Sequence, residues 1–191
     1  MIAKPKDWET AQAYTGDRGP QMTPGGHICK IVALRQETSK NGNPMIVVAF
    51  DIDEGSELDG FYKAKLKDQQ KQNKDSKWQG VIRFLLYGKD SGTNPYFKGF
   101  VKSLEESNAG YHWDWDERSP AGKKIGIVFR EEEYMQETQI RSSVKAWQVR
   151  SVQAILDGVP VPPKKLLETH AAQPFDPKAG FVAVDDDELP F

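Results

Sequence analysis

Apolar residues recur with a period of two along two neighbouring stretches early in the chain. The first stretch, His27 to Arg35, is rich in β-branched residues. The second, Met45 to Asp53, places four apolar side chains on one face, namely Ile46, Val48, Phe50 and Ile52. Asn41-Gly42 lies between the two stretches, and both of its residues tolerate the positive φ of a tight turn. The pattern therefore predicts an antiparallel β-hairpin.

Three further stretches have strand-like patterns. Phe61 to Lys65 predicts a short third strand, and the polar, lysine-rich run from Lys67 to Lys77 that follows it predicts a loop. Gly122 to Arg130 and Gln139 to Val149 predict two later strands. The acidic run Glu131 to Glu133 is the predicted turn between them.

One segment has helical spacing instead. Asn94 suits the N-cap and Pro95 the first turn of a helix. One apolar stripe follows at intervals of three and four residues, formed by Phe97, Phe100, Val101 and Leu104. The preceding run, Trp78 to Tyr87, fits a lengthened third strand, an inserted strand or a buried helix. Strands, one helix and then strands is the order of an OB-fold, so the sequence predicts a mainly β chain: a five-stranded barrel with one short α-helix and loop insertions.

Charge divides the chain unevenly. The net charge is −2, but the segment from Leu166 to Phe191 holds six acidic residues and one basic residue, so it carries −5 and the rest carries +3. Pro160, Pro162 and Pro163 interrupt regular structure just before this segment. The predicted division is an N-terminal arm over 1–24, an OB-fold domain over 25–160, and a flexible linker with an acidic, disordered tail over 161–191.

Composition narrows the function classes. No apolar run approaches the roughly 18 residues of a membrane span, and the first residues lack the apolar core of a signal peptide. The single cysteine, Cys29, cannot form an internal disulfide, and three scattered histidines do not suggest a zinc site. We therefore expect a cytoplasmic protein with no membrane partner, no bound metal and no cofactor.

The end of the chain combines charge with an apolar tip, in the order Asp185, Asp186, Asp187, Glu188, Leu189, Pro190 and Phe191. A partner with a small apolar pocket can hold Phe191 while basic groups pair with the α-carboxylate and the acidic run. A solvated terminus that only aids solubility is the simpler alternative, but it gives the two large apolar side chains no role.

This tip resembles that of bacterial and phage single-stranded DNA-binding proteins, whose chains end in an Asp-rich stretch and Pro-Phe. Gly42 to Phe50, followed by Asp59-Gly60, is similar to the first hairpin of the phage-type proteins. The later strand that leads into Ile155 to Gly158 and the following prolines is also similar to these proteins. The resemblance implies an OB-fold, sequence-tolerant binding of single-stranded DNA in phage-type replication, recombination and repair, and recruitment of replication or recombination proteins by the tail. A phage-encoded protein would act in the host cytoplasm. The lysine-rich insertion and the segment around Trp113 and Trp115 depart from the pattern.

Single-strand binding needs cations for phosphates and exposed rings for bases. On the last predicted strand, residues 141, 145 and 147 share one face by parity. The predicted nucleic-acid contacts are Lys30, Arg35, Lys40, Trp78, Arg83, Tyr87, Arg141, Lys145, Trp147 and Arg150. A core position for Trp147 is an equal alternative. Trp113 and Trp115 are predicted to pack a loop over the barrel, because Asp114 and Asp116 beside them would repel phosphate.

Two other functions remain open at this level. A metal-dependent nuclease or recombination enzyme needs carboxylates that converge on Mg²⁺. The acids at Asp51, Asp53, Glu54 and Glu131 to Glu133 have no recognisable spacing, and no phosphate-binding loop is present, so we predict no enzyme and no catalytic residues. An OB-fold replication adaptor without DNA affinity would carry the same tail. Self-association is left open.

Overall fold

The computed structural model describes residues 3–11, 13, 19–53 and 55–167. The predicted tail residues 185–191, and their expected disorder, lie outside this part of the chain. The described elements, in chain order, are β1 Gly25–Thr38, β2 Pro44–Ile52, α1 Phe61–Gln72, β3 Val81–Leu85, α2 Pro95–Ser107, β4 Lys124–Gln136, β5 Gln139–Arg150 and α3 Val152–Leu156. None of the helices in this part is long and apolar enough to span a bilayer.

The five strands form one antiparallel sheet in the order β3-β2-β1-β4-β5. This confirms a mainly β chain with five strands. The hydrogen-bonded sheet is open, with β3 and β5 as its edges, although some Cα atoms of these two strands lie within 8 Å of each other. The sequence predicts a closed barrel, but no hydrogen-bonded strand pairing joins β3 to β5 in the described residues, so the barrel is not closed.

The first hairpin is confirmed, but its register contains a bulge. Ile31 pairs with Phe50, and the next pair is Ala33 with Ala49, so Val32 is an extra residue on β1. After this bulge Leu34 is buried in the core and Arg35 is exposed on the opposite face. The bulge therefore decides which side chains of β1 face solvent.

The predicted strand at Phe61 to Lys65 and most of the predicted loop after it are wrong, because residues 61–72 form α1. The carboxylate of Asp51 accepts hydrogen bonds from the backbone N–H groups of Tyr62 (2.8 Å) and Lys63 (3.1 Å). The first N–H groups of a helix lack partners within it, so Asp51 on β2 caps α1 from a distance. The third strand is instead β3, within the run Trp78 to Tyr87.

The predicted helix after Asn94 is confirmed as α2, whose first turn begins at Pro95 and is capped by the Asn94 side chain. The expectation of a single helix is wrong, since the described chain also contains α1 and α3. The acidic turn at Glu131 to Glu133 is wrong as well, because β4 continues to Gln136. Neighbouring cations pair with these glutamates and offset the repulsion between them.

The core lies between one face of the sheet and α2. Phe50, Phe100 and Phe129 are among its largest fully buried side chains, and the rings of Phe84 and Phe100 stack with centroids 5.1 Å apart. Burial raises the pKa of the Cys29 thiol, so this cysteine stays protonated and packs as an apolar residue.

α3 and the chain beyond it lie against the outer side of β1 and β4. Gly126 leaves room for the side chain of Ile155, which a Cβ at that position would overlap. Farther along, the Lys165 N–H donates to the Glu131 carbonyl and the Glu133 N–H donates to the Lys165 carbonyl, both at 2.9 Å. Residues 161–167, assigned to the linker by the sequence, thus include backbone contacts with β4.

Candidate nucleic-acid interface

Two arginines flank one apolar residue on the outer face of β1, β2 and β3. Arg35 pairs across the sheet with Val47, and Val47 pairs with Arg83. The adjacent row consists of Ala33, Ala49 and Val81. The small side chains of that row form a shallow apolar surface beside the two arginines.

These residues line a concavity of about 540 Å³, which we call the β1–β3 groove: Ala33, Arg35, Val47, Ala49, Lys77, Trp78, Val81 and Arg83. The lining contains three cations and no carboxylate. Arg35 pairs with Glu37 at the rim, whereas no ion pair involves Lys77 or Arg83 in the part of the chain that the structure describes. The groove therefore has a positive potential suited to an anionic ligand.

Trp78 lies half-buried at one end of this groove. Its indole Nε1–H donates to the carbonyl oxygens of Phe50 and Gly80, both at 3.1 Å. A Cβ on Gly80 would collide with the Phe50 carbonyl and the Tyr62 ring, so glycine allows this close approach. The two hydrogen bonds hold the indole in one orientation, and its contact with nucleic acid stays a prediction.

The outer face continues beyond Arg83 along the chain. Leu85 and Tyr87 have the same parity as Arg83 and are 38% and 56% exposed, and Tyr96 at the start of α2 is 74% exposed. These three residues share a second concavity of about 840 Å³, which also includes Lys89. Tyr96 was not predicted as a contact. The sequence does offer a signal for its exposure, because the Tyr96 ring lies outside the apolar stripe of α2.

Lys30 and Lys40 lie outside the groove lining. Lys30 is exposed on β1 opposite Asp51 on one side and Lys124 on the other. Lys40 is exposed in the turn between β1 and β2. The structure thus brings Arg35, Trp78 and Arg83 together, while these two lysines lie farther along the same hairpin.

A second basic and aromatic region is the β4–β5 surface, formed by the outward side chains Arg130, Glu132, Tyr134, Arg141, Lys145, Trp147 and Arg150. The Arg130 guanidinium stacks on Trp147, with Cζ 4.8 Å from the ring centroid. Trp147 is 39% exposed and lies at a bulge, between the pairs Ala146–Phe129 and Gln148–Val128. It is therefore a surface residue, and the alternative of a core position is not observed.

Glu132 lies at the centre of this second surface. It pairs with Arg130, and its carboxylate is 3.8 Å from Lys145. The hydrogen bond from Arg130 lowers the pKa of Glu132, so the carboxylate remains ionised at neutral pH. Lys145 also lies 5.8 Å from the Tyr134 ring. Both cations are thus already engaged by groups of the protein itself.

Arg141 and Arg150 are exposed at opposite ends of β5. They are nine residue steps apart along the strand, or about 30 Å at a rise of about 3.3 Å per residue. Arg150 donates a hydrogen bond to Gln148, and Arg141 lies opposite Tyr134. The predicted contact residues of β5 therefore form a long row along the strand, and they do not converge into one pocket.

The buried carboxylates have structural partners. Asp51 caps α1, and Asp53 pairs with Lys124 at 2.6 Å. Within the described ranges, no three histidine, cysteine or acidic side chains are grouped closely enough to hold a metal ion. Contacts within the protein therefore account for both buried carboxylates.

Comparison with known proteins assigns no family. No model of a known protein family matches the chain, and no functionally curated protein matches it either. A function has to be inferred from the geometry of the described residues.

Proposed function

We propose that this protein binds single-stranded DNA along the β1–β3 groove of an OB-fold-like sheet. The observation that carries the proposal is the grouping of Arg35, Lys77 and Arg83 around a low apolar surface, with Trp78 held at one end. Arginines and lysine can pair with phosphates, and an aromatic ring can stack on any base, so the chemistry suits binding without strong sequence preference.

The sheet order supports the OB-fold part of the proposal. An OB-fold is a partly open five-stranded barrel that binds oligonucleotides on the face of its second and third strands. Here Val47 on β2 and Arg83 on β3 lie in that position, and α2 connects β3 to β4. The approach of β3 to β5 is what a barrel with one unpaired seam would have.

The exposed rings beyond Arg83 extend the proposed path. Tyr87 and Tyr96 lie in the adjoining concavity, where further bases could stack. A DNA strand that follows β3 would therefore meet Trp78 and the groove cations first, and then the rings of Tyr87 and Tyr96. This arrangement favours unpaired bases, because the rings of duplex DNA are already stacked on each other.

We also propose that the acidic tip at 185–191 recruits replication or recombination proteins. Its support is the sequence: four acids are followed by the apolar residues Leu189, Pro190 and Phe191. The tip has the opposite charge to the groove, so it can compete weakly with DNA for the same cations.

The deciding experiment measures fluorescence anisotropy of a labelled oligo-dT during titration with the full chain at several salt concentrations. We expect binding that weakens steeply as salt rises, and poor competition by duplex DNA of equal length. A chain lacking residues 185–191 should bind equally well or slightly more tightly, while a partner captured by the full chain is lost. An absence of binding at low salt would contradict the proposal and favour the adaptor. Mg²⁺-dependent loss of the labelled strand would favour a nuclease.

A further inference from the structure

A third concavity lies where the two edges of the sheet approach each other. It has a volume of about 550 Å³, and we call it the seam cavity. Its lining comes from the segment before β1, from β2, from α1, from Gln79 and Val81 at the start of β3, from Glu131 on β4, and from residues 142–146 of β5. Pockets of about 300–1,000 Å³ accommodate ligands of nucleotide size.

The seam cavity adjoins the β1–β3 groove. Val81 lines both concavities, so the two are adjacent. Lys65 lies over the Phe61 ring, with Nζ 5.6 Å from its centroid, and Lys145 lines the opposite wall. The cavity lining thus holds two cations and one carboxylate, that of Glu131, which pairs with Lys164.

The walls of the cavity provide both kinds of contact that a nucleobase makes. Phe61 and Tyr62 supply aromatic surface next to the apolar side chains of Val144 and Ala146. β5 is an edge strand and pairs with β4 on one side only, so its other edge presents backbone N–H and C=O groups toward the seam. A base could stack on a ring and hydrogen-bond with this edge.

An extended peptide added as a sixth strand fits less well. A strand inserted between β3 and β5 would need two spacings of about 4.8 Å, or about 9.6 Å between the flanking strands. The Cα atoms of β3 and β5 approach to within 8 Å. A flat base, which needs no backbone spacing on both sides, is the better match.

We propose that the seam cavity binds one nucleobase of the single strand held in the β1–β3 groove, with Phe61 as the stacking surface and Lys65 beside the adjoining phosphate. This inference rests on the proposed function. It adds that one nucleotide of the bound strand is held differently from the others, in a pocket rather than on an open face.

The test uses the shortest oligo-dT that the full chain binds with full affinity, so that the strand cannot slide. A series of these oligonucleotides carries one abasic site at each position in turn. We expect one position at which loss of the base weakens binding about tenfold, and smaller effects elsewhere.

Ser142→Trp should fill the cavity from an exposed position, and Gln139→Trp, at an exposed position on the same strand, serves as the matched control. The sensitive position should disappear in Ser142→Trp and persist in Gln139→Trp. Phe61→Leu keeps an apolar side chain without a ring, and it should reduce the position-specific loss to about threefold.

The outcomes separate the two proposals. An oligonucleotide that does not bind the wild-type chain at low salt overturns the proposed function itself. Tight binding with a flat abasic profile overturns the seam cavity as a base site and leaves the groove intact. A sensitive position that persists in both Ser142→Trp and Phe61→Leu also overturns it. Binding of an extended peptide that is blocked by Ser142→Trp but not by oligo-dT would assign the cavity to a protein partner.

Discussion

The β1–β3 groove and the β4–β5 surface both place cations near a tryptophan on the outside of the sheet, but their surroundings differ. In the groove the lining contains no carboxylate; Arg35 pairs with Glu37 at the rim, whereas Lys77 and Arg83 form no ion pair within the described residues. On the β4–β5 surface Glu132 pairs with Arg130 and lies near Lys145, and Arg130 covers one side of Trp147. A cation that must leave a carboxylate to reach a phosphate gains less from binding. Similar residue types therefore predict different contributions in the two regions.

The largest expected difference comes from paired arginine substitutions. Arg35→Ala with Arg83→Ala should weaken oligo-dT binding by about 30-fold or more at low salt. It should also reduce the slope of log affinity against log salt by about 1.4, because two phosphate contacts are lost. Arg141→Ala with Arg150→Ala removes the same charge from a dispersed row and should weaken binding less than about fivefold. Equal losses in the two double variants, measured by anisotropy, would remove the distinction between the regions.

A second comparison uses the two tryptophans. Trp78→Phe removes an N–H donor that bonds two backbone carbonyls, so we expect a stability loss of about 1 kcal/mol and loss of most of the fluorescence quenching by oligo-dT. Trp147→Phe should change stability by less than about 0.5 kcal/mol and leave the quenching in place. Urea unfolding and fluorescence titration of both variants provide the measurements. Quenching that disappears only in Trp147→Phe would place the strand on the β4–β5 surface.

A third substitution tests the reason offered for the difference. Glu132→Gln releases Arg130 and Lys145 from their carboxylate, so it should tighten oligo-dT binding about two- to threefold and steepen its salt dependence. Glu106→Gln is the control, because it removes the same charge but pairs with Lys102 on α2 instead. If the two variants bind alike, net charge alone accounts for the effect and the pairing does not.

The smallest expected effect is on stability as a function of pH. Arg130 lowers the pKa of Glu132 in the folded protein, so the pair adds stability above the unfolded carboxyl's pKa, and this addition is lost as pH falls through the lowered folded value. The difference in unfolding free energy between wild type and Glu132→Gln should therefore be below about 1 kcal/mol at pH 7 and shrink toward zero below about pH 4. Urea unfolding at pH 7, 5 and 3.5 measures it. A difference that grows on acidification would contradict the pairing.

The sequence predicts elements well where the signal is local. The alternation in Met45 to Asp53 and the Asn94-Pro95 start of α2 each correspond to an observed element. The signal for α1 is not local. Its N-cap position is Gly60, and the carboxylate that satisfies its first N–H groups belongs to Asp51 on another strand. The local pattern of Phe61 to Lys65 and of the lysine-rich run after it therefore predicts a strand and a loop instead of a helix.

The groove was predicted in its members but not in its grouping. Charge or ring chemistry predicts Arg35, Trp78 and Arg83 as contacts, while the sequence places Lys77 only in a lysine-rich predicted loop. Their convergence depends on the cross-strand register of Arg35, Val47 and Arg83, which no local pattern specifies. The seam cavity depends on the approach of β3 to β5, which are far apart in the chain.

The extra residue at Val32 changes which side chains of β1 point into the core. Upstream of it, odd-numbered side chains such as Ile31 point inward, and downstream of it the even-numbered Leu34 does so. Chain length at this point therefore matters more than side-chain identity: Val32 is 48% exposed and its replacement should be tolerated. Shortening the strand by that one residue would exchange the environments of Leu34 and Arg35, bringing a guanidinium into the interior and removing it from the β1–β3 groove.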